Sequence, residues 1–373
     1  MPVPDEPSAE CFRTTMQAPS QSGSAAGRPF PSASAAPRVT VMITAHNRPE
    51  ELRATLRELR RQRYPSLELL VIDDASAESL EPVVRAEWPE ARFHRNPQNL
   101  GLIGSRSLGM TLAGGDYILT LDDDSAPVDP DDIARAVRRF EREPRLGVLT
   151  FRIHEGLEPP PPAEPQAEQY MHSYIGCGHM MRSEVVRSVG AYRDFFVYYG
   201  EEGEYAVRVI DQGWSILFFP DVVVHHRLSP LNRSEGKITA YNLRNNLWTI
   251  LLNVPFPRAA GEFSWKLMSY GMEIVRRGEL RWGAWAIGSF AAGLPRVLRE
   301  RKPVSPAGLR TYDALRFRRI ETAQALAEAR PPSAGERWEW FRTVWLRRRR
   351  GRGFWDRRPG GIGKSRWGTE AEE

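Results

Sequence analysis

Cysteine is almost missing from this chain: among its 373 residues only Cys11 and Cys177 carry a thiol. That excludes a disulfide framework, gives no support to a redox role, and is normal for the cytosol. A secretory signal is also lacking, since no basic segment followed by an apolar core opens the sequence, and the expected location is cytoplasmic. Long apolar runs are absent as well. Trp282 to Pro295 is the longest hydrophobic stretch without a charge, well short of the roughly 18 apolar residues that cross a bilayer. There is no internal repeat.

What is present reads as a globular protein. The hydrophobic fraction of 41%, the charged fraction of 27% and a mean hydropathy of −0.47 are ordinary for one. The length allows two domains or one large α/β domain with extensions, at roughly 100–200 residues per domain. The net charge of +5 is unevenly spread: Arg330 to Glu373 holds twelve Lys/Arg against six Asp/Glu, and the rest is near neutral. Residues 1–37, with seven Pro, six Ser and seven Ala, cannot bury enough apolar surface to offset the entropy of ordering, so they read as a disordered leader.

Order is expected from Arg38-Val39-Thr40-Val41-Met42-Ile43, a β-branched run typical of a buried strand. Asn47-Arg48-Pro49-Glu50 then opens a helix, with Asn47 as its cap and Pro49 in the first turn. Leu67 to Ile72 forms the next strand, ends in Asp73-Asp74-Ala75-Ser76, and leads into a helix with Leu80, Val83, Val84 and Trp88 inward. Arg92 to His94, Ser105 to Ala113 and Asp116 to Leu121 continue the strand and helix rhythm, followed by a helix near 129–142 and a strand over 146–152. Such alternation predicts a doubly wound, mostly parallel α/β sheet whose ligands sit beyond the carboxyl ends of the strands. Glu155 to Pro165, with Pro159 to Pro162 consecutive, is an irregular loop. Beyond it, Ser215 to Phe219 and Val222 to His225 look like strands, and Glu204 to Gln212 and Ile238 to Leu252 like helices.

The feature that carries chemistry is Leu119-Thr120-Leu121-Asp122-Asp123-Asp124-Ser125, an apolar strand ending in three consecutive carboxylates. Like charges that close raise one another's pKa, and a divalent cation is the natural neutraliser. An acidic turn with a helix cap is the alternative reading of the triplet alone. Asp73-Asp74 forms a second acidic strand end on the same edge.

Taken in order, several motifs resemble family 2 glycosyltransferases over about residues 38–250. Val41 to Pro49 is similar to that family's apolar strand followed by Thr-Tyr-Asn-Arg-Pro, with Ala45 and His46 in place of the threonine and tyrosine ahead of Asn47 and Arg48. Val71-Ile72-Asp73-Asp74-Ala75-Ser76 is like Val-Asp-Asp-x-Ser, and Asn99-Leu100-Gly101 with Ser105-Arg106 is like Asn-x-Gly and its following arginine. The triplet corresponds to Leu-Asp-x-Asp. Phe195 to Tyr205, with Glu201-Glu202-Gly203-Glu204 and then Arg208 and Gly213-Trp214, is similar to an aromatic-x-Glu-Asp-x-Asp signature with glutamates at the aspartate positions.

The resemblance implies a GT-A fold, a Rossmann-like mixed and mostly parallel sheet flanked by helices, over 38–257. It also implies Mg²⁺ or Mn²⁺ and an inverting transfer from a nucleoside diphosphate sugar to a hydroxyl acceptor, such as a glycan, a lipid-linked molecule or a small molecule. On the donor side it implies Ala45, His46, Asn47, Arg48, Asp73, Asp74, Asn99, Gly101, Arg106, Asp122 and Asp123. Asp73 would accept from the nucleobase, which a carboxylate does without donating, and Arg106 would hold the diphosphate bidentately. A turn aspartate and a solvated helix arginine are the respective alternatives. Asp122, Asp124 and His225 are implied as metal residues, with Asp124 touching the ion and Asp122 facing the ribose or a metal-bound water. Glu202 is the implied base that takes the acceptor hydroxyl's proton, with Glu201 next in line. Gly176-Cys177-Gly178-His179 resembles a small-residue loop against the donor sugar or the acceptor.

After about Pro257 the resemblance fades into a helical extension, 258–330, with segments Phe263 to Ile274, Trp282 to Leu298 and Tyr312 to Ala329. The tail, 331–373, interleaves Trp338, Trp340, Phe341, Trp345, Phe354, Trp355 and Trp367 with Arg347 to Arg350. That mixture suits contact with anionic lipid at the inner face of a membrane; a solvated tail is the alternative, and no nucleic-acid partner is expected. Two other classes compete with the enzyme: an inert nucleotide-sugar-binding scaffold that recruits partners through the tail, and a nucleotidyltransferase. The latter lacks its Gly-rich phosphate loop before the first helix.

Overall fold

The computed structural model describes residues 36–161, 165–227, 235–339 and 342. Almost all of the leader and most of the basic aromatic tail lie outside them.

The predicted alternation is realised from the first strand. β1 (Val39–Ala45), α1 (Pro49–Leu59), β2 (Leu67–Asp73), α2 (Glu81–Glu87), β3 (Arg92–Arg95), α3 (Gly101–Leu112) and β4 (Tyr117–Asp122) follow one another. β1 pairs in parallel with both β2 and β4, and β2 with β3. Every residue of β1 is buried, as expected for a strand with helices on both faces. Leu52, Leu56 and Leu59 turn the buried stripe of α1 onto it.

Two local readings change. Asn47 is not the cap of α1: Arg48 holds that position without a side-chain cap bond. Asn47 instead sits at φ 56, and its Oδ1 accepts from Ala77 N (2.7 Å), because its short amide tolerates the left-handed turn and ties loops together. α3 starts a turn earlier than the periodicity predicts, at Gly101.

Past the triplet come β5 (Ser125–Pro127), α4 (Asp132–Glu141), β6 (Leu146–Glu155), β7 (Gln169–Tyr170), β8 (Gly178–Arg182), α5 (Ser183–Val189), α6 (Glu201–Asp211) and β9 (Ser215–His226). The two strand segments predicted around Pro220 are one strand with a register shift where Phe151 and Arg152 of β6 meet it. The sheet runs β3-β2-β1-β4-β8-β6-β9-β5, with β7 against β9. Its first half is parallel, whereas β8 and β5 enter antiparallel. The antiparallel insertion of β8 beside β4 brings the 176–179 segment to the triplet's end of the sheet.

α7 (Glu235–Asn253), α8 (Arg258–Arg276), α9 (Leu280–Arg299), α10 (Pro306–Phe317) and α11 (Ala323–Ala327) complete the chain. The last predicted helix is broken in two after Phe317. Trp248 and Leu252 of α7 belong to the main core, while Leu243 and Leu247 join Tyr270, Ile274 and Ala286 in a second one. Among the described residues no helix is long and apolar enough to cross a membrane.

Candidate active site

β4 ends by delivering its three carboxylates into different surroundings. Asp122 keeps 21% of its side chain exposed, whereas Asp123 and Asp124 are buried. Arg48 reaches across from the cap of α1 to Asp123 (Nη1–Oδ1 2.9 Å) and Asp124 (Nη2–Oδ2 2.5 Å). His226, the last residue of β9, approaches Asp124 (Nε2–Oδ1 3.1 Å) and Asp122 (Nε2–Oδ2 3.9 Å). Burial would raise the Asp124 carboxyl, but the close approach and charge of His226 and the Arg48 guanidinium outweigh it and hold it well below the usual range. For Asp123 burial wins over Arg48 and pushes the carboxyl well up. Burial would lower the His226 imidazole, but the Cys177 sulfur and the two carboxylates hold it up to about 11.

The sequence points to His225; the structure brings in His226. Side chains alternate faces along a strand, and Val222, Val224 and His226 share the buried face of β9. His225 faces the other way, where its Nε2 donates to the Gly156 carbonyl (2.8 Å) and its ring lies 5.5 Å from that of His154. The period-2 alternation puts His225 and His226 on opposite faces, and the pairing of β9 with β5 and β6 decides which face meets the triplet. Asp124 is likewise not the open carboxylate: it stands behind His226, and Asp122 is the member of the triplet that faces solvent.

Asp122, Cys177 and His226 place a carboxylate oxygen, a thiol and a ring nitrogen within 4.8 Å of one another. Neither ring nitrogen of the buried His226 makes an aligned hydrogen bond among the described residues, so on losing its proton the ring can offer a lone pair for coordination. An imidazole and a carboxylate, completed by phosphate oxygens, suit Mn²⁺; the soft sulfur suits Mg²⁺ less. The residues present fit a divalent ion, with Asp124 as the carboxylate that orients the histidine.

Arg106, buried on α3, donates from Nη2 to Asp122 (2.5 Å) and from Nη1 to Glu201 (2.8 Å). Its fork is thus taken up by two carboxylates, which makes it a counter-charge to the acidic cluster rather than the diphosphate clamp implied by its motif. Glu202, half-buried in the first turn of α6, lies on the same side. Its carboxyl is pushed up to about 8 by burial and by the neighbouring Glu201 charge, with Arg106 opposing. Gly176 closes this corner: a Cβ built there would come to 2.6 Å of Arg106 Nη1 and 2.7 Å of Glu202 Oε1. Gly176→Ala is therefore expected to displace both side chains and lower kcat by about tenfold or more, in line with the sensitivity of reacting geometry to sub-ångström shifts, while thermal unfolding barely moves.

Of the loop resembling a sugar contact, only Gly176 and Cys177 reach the site. Gly178 lies in β8 opposite Leu121, where a Cβ would meet Ile153 Cδ1 at 2.7 Å. His179 is fully buried, between Thr120 and Thr150 in the sheet, and its ring lies tilted against that of Tyr174 (centroids 4.6 Å apart). Strand pairing walls both off.

At the parallel end, Asp73 is the turn aspartate of the alternative reading. It is wholly buried, and its oxygens accept from Ser76 N (2.9 Å) and Leu80 N (3.2 Å), which leaves them facing backbone rather than a nucleobase. Asp74 Oδ1 accepts from Leu100 N (2.7 Å) and Asn96 Nδ2 (2.8 Å), joining the β2 and β3 loops. His46 Nδ1 donates to the Asp74 carbonyl (2.8 Å), and Asn99 Oδ1 accepts from Gly101 N (3.0 Å). Ala45 is buried beside Asp73 in the sheet. The side chains of His46 and Asn99, both half-buried, and of the exposed Asn47 line the rim of this corner.

The turn into α6 is strained. Val197 (φ 64), Tyr199 (φ 59) and Gly200 (φ 89) all take positive φ, a conformation that costs non-glycine residues about 1–3 kcal/mol each.

Residues 40–193 match the family described as Glycosyl transferase family 2. An uncharacterized glycosyltransferase of Haemophilus influenzae is 27% identical over 111 residues, 30% of this chain and 37% of that protein. The glucosyl-dolichyl phosphate glucuronosyltransferase of Haloferax volcanii is 30% identical over 111 residues, 29% of this chain and 35% of that one. The chain thus spans about a third of the length of these curated relatives. The crystal structure of S. aureus TarS 1-349 in complex with UDP-GlcNAc is similar in fold, with a TM-score of 0.51 at 14% identity over 84% of this chain and 92% of that chain. With the strand-end motifs in their order and a mixed GT-A-type sheet gathering them, residues 40–193 of the chain are similar to glycosyl transferase family 2.

Proposed function

We propose that the chain is an inverting glycosyltransferase that moves a sugar from a nucleoside diphosphate sugar to a hydroxyl acceptor, with Mg²⁺ or Mn²⁺ as cofactor. The observation that carries this reading is the convergence of Asp122, His226, the Glu201 that Arg106 bridges to Asp122, and the adjacent Glu202 at one end of the sheet. A fold shared with TarS, solved with UDP-GlcNAc, supports the donor class, and a polysaccharide synthase among the relatives supports a glycan or lipid-linked acceptor.

In this reading Asp122 and His226 hold the ion, with Cys177 beside them. When bound, the ion supplies Lewis-acid stabilisation of a departing diphosphate. Arg106 fixes the Asp122 and Glu201 side chains in place. Glu202 takes the proton of the acceptor hydroxyl at a carboxylate oxygen as that hydroxyl attacks the anomeric carbon from the face opposite the diphosphate, the arrangement that inverts the centre. The rim of His46, Asn47 and Asn99 bounds the nucleotide side. The basic aromatic tail, outside the described residues apart from its first part, provides contact with an anionic membrane surface in the same reading.

Purified chain with Mn²⁺ is expected to hydrolyse or transfer at least one donor from a panel of UDP-, dTDP- and GDP-sugars. Inertness toward all of them, with and without lipid and glycan acceptors, would sink the reading.

A further inference from the structure

We propose that Asn245, seconded by Arg244, is a positioning residue that clamps the strained turn ahead of α6 and thereby aims the glutamate pair. Both residues lie on α7, outside the matched residues 40–193, and nothing in the motif order points to them.

The turn cannot hold itself. Val197, at φ 64 and ψ −55, is the centre of a γ-turn in which Tyr198 N donates to Phe196 O (2.7 Å), a form that is rare and strained and the more so at a β-branched residue. With Tyr199 and Gly200 also at positive φ, the carbonyls of Phe196, Tyr198 and Tyr199 all point to one side. Buried carbonyls need donors. Asn245 Nδ2 lies 3.0 Å from Phe196 O, 3.0 Å from Tyr198 O and 2.6 Å from Tyr199 O, so its two hydrogens serve the Tyr198 and Tyr199 carbonyls while Arg244 covers Phe196 O.

The amide is itself fixed. Arg244 Nε donates to Asn245 Oδ1 (3.0 Å), Nη2 to Phe196 O (2.7 Å) and Nη1 to Ser289 Oγ on α9 (2.9 Å). The guanidinium lies over the rings of Trp248 (4.4 Å) and Tyr241 (4.6 Å). Both residues are buried. Gly200 leaves room for the close approach, since a Cβ there would come to 3.2 Å of Asn245 Cβ. On the far side of the turn, Val197 O accepts from Ile103 N of α3 (3.3 Å), three residues from Arg106. The clamp thus joins the helical extension to the two helices that carry Arg106, Glu201 and Glu202.

This rests on the reading of the glutamates as catalytic, and the test separates the two. Asn245→Ala in the full chain is compared with Asn246→Ala, which removes an amide on the same helix that bonds Asn242 O and Tyr270 Oη. Hydrogen exchange of the ligand-free protein should accelerate at least tenfold across residues 197–204 in Asn245→Ala, with β1 and β4 unchanged and Asn246→Ala like the parent. With whichever nucleotide sugar of the panel the parent turns over, kcat should fall 10–100-fold while KM stays within threefold. Parent-like exchange over 197–204, or a parent-like kcat, overturns the clamp. A parent inert toward every donor defeats the catalytic reading instead and leaves the exchange arm to decide the clamp. If Asn245→Ala does not fold, Arg244→Lys, which keeps the cation but loses the fork, must show the same changes in smaller measure or the proposal fails.

Discussion

Glu202→Gln is expected to reduce turnover by about 10²–10⁴-fold, the usual contribution of a general base, equivalent to about 3–5 kcal/mol of barrier. Nucleotide-sugar affinity should stay close to that of the parent, because the amide keeps the shape of the carboxyl. Retained turnover would assign the proton transfer elsewhere, and Glu201 is the group to examine next. The pH dependence gives the same assignment an independent check. The Glu202 carboxyl is held up to about 8 by burial and by Glu201, and only its ionised form can accept a proton. kcat/KM should therefore climb roughly tenfold from pH 6 to pH 7 and level off above about 8. Removing the neighbouring charge in Glu201→Gln leaves Arg106 to favour the ionised form, so the rising limb should move to lower pH. A limb that stays in place, or moves up, would remove Glu201 as the cause.

The second large effect concerns the ion. Chelation should abolish turnover and added Mn²⁺ should restore it. Asp122→Ala and His226→Ala should each weaken Mn²⁺ binding by at least about 100-fold, and Asp124→Asn by about 10–100-fold, the range for a carboxylate that orients a ligating histidine. His225→Ala should stay within a few-fold of the parent, as surface substitutions away from a site generally do. Mn²⁺ titration by calorimetry reads all four. Because the His226 imidazole is held up to about 11, binding should also release a proton near neutral pH and tighten as pH rises. A larger loss in His225→Ala than in His226→Ala would return the site to the neighbouring residue.

Much of this site is written locally. β-branched runs, turn residues and apolar periodicity locate β1, β2 and β4, and a strand that ends in carboxylates leaves them at the sheet's carboxyl edge wherever the strand is placed. That is why the family resemblance, the sheet and the triplet could be read from the order of motifs. The identities within the cluster were not legible, and the reasons differ residue by residue. His225 against His226 turns on the face of β9, which a doublet of histidines at the strand's end does not declare without its pairing to β5 and β6. Arg106 has the right chemistry for a diphosphate, yet Glu201, 95 residues away, occupies its fork. Asp73 could serve base or backbone until the Ser76 and Leu80 amides close on it.

By itself, then, the sequence determined the chain's family resemblance, its order of strands and helices and the presence of a strand-end carboxylate cluster, because each is written in runs of a few residues. Only the tertiary structure decided which carboxylate faces solvent, which histidine joins it, and that Arg244 and Asn245 hold the glutamate turn. Those outcomes depend on register, on strand faces and on hydrogen bonds between segments tens of residues apart, which no local pattern encodes.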